Sequence, residues 1–196
     1  MNEQEAFWAG PFGNAYSERN KGKVINNIVF FSHILRQTGP LDFIYEMGAG
    51  TGMNMEALSR LSPQTEVYGV EINEVAAHDI KTGNVFIENA LEFNPPIKAD
   101  LAFTKGLAIH IHPDNIQKLY ERLYSVSEKY ILMAEYYSPR REMIEYRGHK
   151  DKLWKASFYQ EMMDAYPDLQ LIGSGFVGHW DVFPQDDLTW WLWRKT

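Results

Sequence analysis

Cysteine is absent from the 196-residue chain. That excludes disulfides, thiolate-held metals and cysteine nucleophiles. No apolar run approaches the roughly 18–20 residues needed to span a bilayer. The opening stretch, MNEQEAFWAG, carries no basic segment followed by an apolar one, so nothing reads as a secretory signal and the expected location is the cytoplasm. Positive charge is scarce: 19 Lys and Arg stand against 26 Asp and Glu, for a net charge of -7. Binding a nucleic-acid backbone needs concentrated cations, so no nucleic-acid partner is expected. Only SPRREMIEYRGHK (138–150) could form a basic patch, and a solvated loop is the alternative reading of it. Internal repeats, low-complexity segments and Gly/Ser linkers are also missing.

What is present fits one globular domain over 1–196. The chain is 45% hydrophobic and 23% charged, and its length suffices for a single sizeable core. Aromatic residues crowd both ends: Phe7, Trp8, Phe12 and Tyr16, then Phe176, Trp180, Phe183, Trp190, Trp191 and Trp193. The stretch FWAGPFGNAYSERN has no hydrophobic periodicity and reads as irregular. KVINNIVFFSHILRQTGP reads as a helix whose apolar face is Ile25, Ile28, Val29, Ser32 and Leu35, stopped at Gly39-Pro40. Residues 1–40 thus form an N-terminal lid and helix, and 41–196 a Rossmann-like core. In that core LDFIYEM, EVYGVEI, NVFIENA, ADLAFTKG and KYILMAEYY read as strands. Between them lie helices at MNMEALSRL, NEVAAHDIKTG (N-cap Asn73) and PDNIQKLYERLYSVS, the last with Ile116, Leu119, Tyr120 and Leu123 on one face. SFYQEMMDAY follows as a helix with a Ser157/Gln160 capping-box pattern. LQLIGSGFVG and LTWWLWRK are the final strands. Alternating strands and helices imply a doubly wound, largely parallel sheet. HWDVFPQDD is too short for a parallel crossover, so the last two strands pair antiparallel. The expected fold is α/β, with seven strands and the last one antiparallel.

The densest signal is YEMGAGTGMN (45–54). Gly48, Gly50 and Gly52 follow a strand in a G-x-G-x-G pattern. A dinucleotide fingerprint would be G-x-G-x-x-G, and Met53 occupies its last glycine. The Gly-Lys-Ser/Thr of a P-loop is absent. Glu46 precedes the turn, where a carboxylate would repel a pyrophosphate and attract an ammonium. S-adenosylmethionine meets that demand: it carries a sulfonium and an α-amino cation and has no phosphate. Glu71 ends the second strand, 25 residues after Glu46, where a carboxylate can accept both ribose hydroxyls. Asn89 ends the third strand and is placed for the adenine edge, with Ile72 and Ala90 flanking the ring.

With these residues in this strand order, the chain resembles class I S-adenosylmethionine-dependent methyltransferases. The words FWAGPFGNAYSERN, EMGAGTGMN, TKGLAIHIHPD, YILMAEYYSP, EYRGH and FPQDDLTWWL resemble a narrower family, the methylases associated with pseudaminic acid biosynthesis. Pro11 stands where that family leads one to expect an acidic residue, and His112 where asparagine is expected. The resemblance implies methyl transfer from S-adenosylmethionine, leaving S-adenosylhomocysteine. The acceptor it implies is a small polar molecule: a hydroxyl or amine of a bacterial nonulosonic (pseudaminic-acid-type) sugar or a related surface-glycan precursor. A non-catalytic S-adenosylmethionine-binding protein and a nicotinamide-dependent oxidoreductase are the rival readings.

Other site residues carry two readings each. The N-terminal segment is either a lid, bringing Tyr16 and Arg19 to the methionyl carboxylate, or an aromatic plug. Thr104 can offer its carbonyl to the methionyl ammonium. His110 is either a general base or acceptor contact, or a structural histidine bonded to backbone. His110 and His112 alternate along the chain, but no third ligand accompanies them and no metal is expected. Glu135, Tyr136 and Tyr137 end the fifth strand at the ligand edge, where Glu135 could orient or deprotonate an acceptor. Arg147 and His149 could bind an acceptor carboxylate. Asp186 and Asp187 read as a turn, with Gln185 or Asp186 touching the acceptor as the lesser alternative.

Overall fold

The computed structural model describes residues 2–20, 22 and 24–196. Its N-terminus is helical where periodicity gave no helix. α1 (Glu3–Ala9) and α2 (Pro11–Arg19) follow one another, joined at Gly10. Capping drives them. Asn2 accepts the Glu5 N–H at 2.9 Å while the Glu5 carboxylate takes the Asn2 N–H at 2.7 Å, and Pro11 supplies a preset φ at the first turn of α2. α3 spans Val24–Thr38; Lys23, where the sequence reading began this helix, lies outside the described residues. Its buried stripe is not the one read from the sequence. Asn27, Phe30, Phe31 and Ile34 face inward, and Ile25 and Val29 are exposed. Both stripes have helical spacing; the one carrying two phenylalanines buries more apolar area and wins. Phe31 meets Phe103 edge-on at 5.2 Å.

The main sheet contains β1 (Phe43–Met47), β2 (Glu66–Glu71), β3 (Asn84–Ile87), β4 (Ala99–Lys105), β5 (Ser127–Glu135), β8 (Leu169–Val177) and β9 (Leu188–Lys195). Its order is β3-β2-β1-β4-β5-β9-β8. β1 to β5 pair parallel, and β9 runs antiparallel to both neighbours, as expected. β6 (Glu142–Met143) and β7 (Trp154–Lys155) form a small separate antiparallel pair, and β6 falls within 138–150, the stretch read as a basic patch or a solvated loop. α4 (Met53–Leu61), α5 (Glu74–Asp79), α6 (Ile116–Val126) and α7 (Phe158–Ala165) complete the chain. Asn73 caps α5 through its side chain, as predicted. The Ser157/Gln160 box does not form: Ser157 makes no side-chain cap bond, and Gln160 donates instead to Asp164 at 2.8 Å, one turn on.

Two cores flank the sheet. One packs α3 and α4 against Ile44, Phe103, Leu132, Trp190 and Leu192. The other packs α6 and α7 against Met47, Ala102, Met133, Trp191 and Trp193. The tryptophans of β9 therefore fill both faces by strand alternation. β1 is flanked by β2 on one side and β4 on the other, so the winding reverses there. Open α/β sheets bind ligands at the carboxyl ends of strands beside such a reversal.

Candidate functional site

A cavity of about 650 Å³ opens at that point. Its floor is the turn between β1 and α4. Gly48, Gly50 and Gly52 all have positive φ (76°, 55° and 76°), a region that costs any other residue. Their surroundings differ. A Cβ on Gly48 would lie 2.8 Å from Leu107, one on Gly52 would lie 3.0 Å from Ile80, and one on Gly50 would meet no protein atom within 4 Å. Gly48 and Gly50 line the cavity; Gly52 does not, and serves as the left-handed N-cap of α4. The expected ligand role of Gly52 is thus corrected to one of helix entry.

Glu46 is 1% exposed and lines the cavity. One carboxylate oxygen accepts the Asn54 amide at 2.6 Å, while Oε2 is buried with no partner. Burial pushes this carboxyl up to about 8. Glu71 accepts the Gly50 N–H at 2.7 Å and the Asn73 N–H at 2.8 Å. Each oxygen keeps acceptor capacity toward the cavity, and burial raises its pKa as well. The carboxylate thereby ties the glycine turn to the start of α5.

Ile72, Asn89 and Ala90 line the next stretch of wall. The Asn89 side-chain oxygen accepts the Leu91 N–H at 3.0 Å, and its NH₂ donates to Glu5 of α1 at 2.9 Å. α1 is further tied to the core by Gln4 donating to the His110 carbonyl and by the Lys152 ammonium on Glu3 at 2.9 Å. The Asn73 amide donates to the Trp8 carbonyl at 3.0 Å and to Asn14 at 2.8 Å. Tyr16 and Arg19 reach the cavity wall. Burial holds the Tyr16 phenol well above its usual range, and the Arg19 guanidinium lies 5.7 Å from the centre of the Phe12 ring. Trp8 and Phe12 of these helices join Tyr146 and His149 in an aromatic cluster.

His110 lines the cavity and is 7% exposed. Its Nδ1 lies 2.8 Å from the Lys152 carbonyl. A carbonyl only accepts, so Nδ1 carries the proton and Nε2 holds the lone pair. Burial lowers the imidazole to about 4, keeping it neutral. The Trp8 ring lies 4.3 Å from it, centre to centre. The structure thus shows the backbone bond of the structural reading, on a ring that also lines the cavity. His112 accepts the Asp114 N–H at 3.3 Å. Among the described residues no group of three or more His, Asp or Glu is arranged to hold a metal.

Four other expected residues are not on the cavity wall. Glu135 is wholly buried, and its carboxylate accepts the N–H groups of Leu107, Ala108 and Ile109 at 3.1–3.3 Å. It fixes the turn that carries His110 and cannot itself reach a ligand. Thr104 is wholly buried in β4; its neighbours Lys105 and Gly106 line the cavity instead. Tyr137 is 48% exposed and turned outward, whereas Tyr136 faces in. One residue reverses a side chain at a strand end. His149 sits outside against Phe7 and Phe12, while Arg147 does line the cavity, with φ at 51°. Sequence reasoning missed Lys105, Tyr146 and Asn54 as lining residues. It underweighted Gln185 and Asp186, which also line the site. Gln185 is locked by a 3.1 Å bond to Asn27. Burial lowers the Lys105 ammonium, opposed by the charges of Glu46, Asp186 and Glu135.

No protein-family model matches the chain, and no curated protein does either. Solved structures do. Magnesium protoporphyrin IX methyltransferase from Synechocystis PCC 6803, crystallised with S-adenosylmethionine, aligns with a TM-score of 0.70 at 10% identity, over 100% of this chain and 99% of that one. The 1,6-didemethyltoxoflavin-N1-methyltransferase of Burkholderia thailandensis, with S-adenosylhomocysteine bound, aligns at 0.71 and 13%, over 98% and 87%. CalS10, an amino pentose methyltransferase from Micromonospora echinaspora, aligns at 0.66 and 12%, over 95% and 97%. At these identities the likeness is one of fold: the chain has the Rossmann-like methyltransferase fold.

Proposed function

We propose that this chain transfers a methyl group from S-adenosylmethionine to a small polar acceptor. The observation that carries the reading is the unpartnered Glu46 oxygen, set in a cavity floored by a glycine turn. A buried carboxylate oxygen without a donor is costly. An ammonium ligand would satisfy it; a pyrophosphate would not. The open space above Gly50 is where such a ligand can approach the backbone. Neighbours of this fold hold S-adenosylmethionine or S-adenosylhomocysteine, which supports the same choice.

The residues fit that cofactor. Glu46 would take the methionyl ammonium, Glu71 the ribose hydroxyls, and Ile72, Asn89 and Ala90 the adenine. Tyr16 and Arg19 would take the methionyl carboxylate from the covering helices. When bound, S-adenosylmethionine supplies a methyl on a sulfonium leaving group. The chain's own work is to align the acceptor, exclude water and receive a proton. His110 Nε2 is the base, kept neutral by burial and aimed by the Lys152 carbonyl. Glu135 is a positioning residue beneath it. The N-terminal helices act as a lid.

The acceptor we favour is a hydroxyl or amine of a nonulosonic-type bacterial sugar. The matching words in the sequence support it, as do the Arg147 cation on the cavity wall and Asp186 and Gln185 for hydroxyls. Isothermal calorimetry tests the cofactor: S-adenosylhomocysteine should bind and NAD should not, and the reverse result would refute the reading. Mass spectrometry of surface sugars with and without the protein tests the acceptor. An unchanged methyl count would remove the sugar.

A further inference from the structure

The main cavity does not end at its acceptor side. Tyr136 and Asp186 line it and also line a second, outer cavity of about 370 Å³, bounded by Tyr137, Lys155, His179 and Asp187. The outer walls are built. His179 Nδ1 lies 2.8 and 2.9 Å from the two Asp187 oxygens, and its N–H donates to Asp187 at 2.9 Å. Asp187 holds a left-handed φ of 55° under that clamp. Lys155 is pinned in β7 opposite Glu142, and the adjoining Ala156 bridges to Tyr137.

The charges are not all used. Asp187 is occupied by His179. The Lys155 ammonium lies 5.9 Å from the centre of the Tyr136 ring, and among the described residues it has no carboxylate within 4.0 Å. Asp186 lines both cavities, and its charge acts on Lys105 of the main one. The Lys155 charge acts on Asp187 but forms no close ion pair, so the ammonium keeps donors for an anion. Asp186 repels an anion and accepts hydroxyls or amines. Lys155 lines only the outer cavity and Asp186 lines both, so an anion held at Lys155 lies outside the main cavity while neutral polar groups meet Asp186. The main cavity lies within the usual range for one drug-sized ligand, so a cofactor filling its glycine end leaves an elongated acceptor to extend outward.

We propose that the outer cavity is a second acceptor subsite, which takes the anionic end, carboxylate or phosphate, of an elongated polar acceptor whose methylated end lies in the main cavity. This rests on the cofactor reading above. The test uses the full chain saturated with S-adenosylhomocysteine, whose own affinity is measured first by calorimetry. Amide NMR shifts are then followed on adding N-acetylneuraminic acid, its uncharged methyl ester, or glucose 1-phosphate. One anion should shift Tyr137, Lys155 and His179. Lys155→Met should weaken it at least tenfold, Lys155→Arg should retain it, and S-adenosylhomocysteine affinity should stay unchanged in both. Whichever of acid and sugar phosphate depends on Lys155 identifies the anion. Equal binding of acid and ester overturns the subsite. So does indifference to Lys155→Met, or no shift with either anion. Failure of S-adenosylhomocysteine to bind at the outset overturns the cofactor reading instead.

Discussion

The Asn89 amide donates to the Glu5 carboxylate at 2.9 Å, joining the end of β3 to the first helix across 84 residues of chain. The same carboxylate closes the capping box of α1. One side chain thus both starts α1 and latches it to the wall proposed for adenine. Glu5→Ala should remove both. Hydrogen exchange in 3–19 is expected to quicken, and S-adenosylhomocysteine affinity to fall about tenfold, since a hydrogen bond to a charged group contributes roughly 1.5–3 kcal/mol. The sheet amides should keep their protection. If exchange in the sheet quickens equally, the segment is a plug integral to the fold rather than a lid.

Glu71 offers a harder test, because it holds protein as well as ligand. Its bonds to Gly50 and Asn73 mean that truncation loosens the turn itself. Glu71→Gln keeps the shape and removes the charge. Its thermal midpoint should fall only slightly, while S-adenosylhomocysteine binds at least about tenfold more weakly. Equal affinity in calorimetry would take Glu71 out of the ribose site.

Much of this site was legible because its logic is local. A strand, a glycine turn and a carboxylate at the next strand end follow from spacing and alternation, so Glu46, Gly50 and Glu71 could be placed from the sequence. What failed depended on partners distant in sequence. Glu135 looked like an exposed strand-end carboxylate until the 107–109 turn folded over it. Tyr136 and Tyr137 lie just past the last β5–β9 pair, Glu135 with Thr189, where spacing alone does not say which faces in. The face of α3 was chosen by Phe103 across the interface, which periodicity alone does not see. The N-terminal helices were missed for the opposite reason. Their signal was an Asn2/Glu5 cap and a Pro11 start, local chemistry present in the sequence but outweighed by the lack of an apolar stripe.

Glu46 makes both stability and binding depend on pH. Its pKa is raised to about 8 by burial, so between its unfolded value near 4.5 and pH 8 the folded state holds more protons than the unfolded. That stabilisation is full below about 4.5 and is lost as pH rises through 8. Glu135, raised to about 7, acts in the same direction. His110, lowered to about 4, acts oppositely and only below its unfolded value of about 6.5. From pH 6.5 to 8.5 only the two carboxylates remain among these three, and the Tm of the ligand-free protein should fall. Glu46→Gln should flatten that decline. Calorimetry near pH 7 in buffers of different ionisation enthalpy should also show proton release when S-adenosylhomocysteine binds, as its ammonium restores the Glu46 charge. No proton release in the native protein would dissociate Glu46 from that ammonium.

His110 is expected to act through Nε2, with Nδ1–H held by the Lys152 carbonyl. Once an acceptor is in hand, His110→Gln should lower kcat by at least about 100-fold, the lower end of general-base contributions, with acceptor KM changed little. Because the imidazole stays neutral down to about pH 4, its protonation should not cut the native rate between pH 6 and 8. A kcat drop of less than about threefold would leave His110 only its structural bond.

The glycine turn separates folding from binding in one pair of substitutions. Gly48 and Gly50 share a left-handed backbone, so alanine at either position costs roughly 1–3 kcal/mol of strain. They differ in what the new methyl meets. At Gly48 it lies 2.8 Å from Leu107, a residue within the turn that Glu135 holds by its backbone N–H. Gly48→Ala should therefore lower the Tm beyond the strain alone. At Gly50 the methyl meets no protein atom within 4 Å and projects into the cavity. Gly50→Ala should cost little more than the strain, yet reduce S-adenosylhomocysteine affinity by at least about tenfold, since the methyl would occupy space the ligand needs against the backbone. Thermal unfolding and calorimetry on the two variants together give the answer. If Gly50→Ala binds as tightly as the native chain, the cofactor does not pass over this turn, and the open space at Gly50 has another cause.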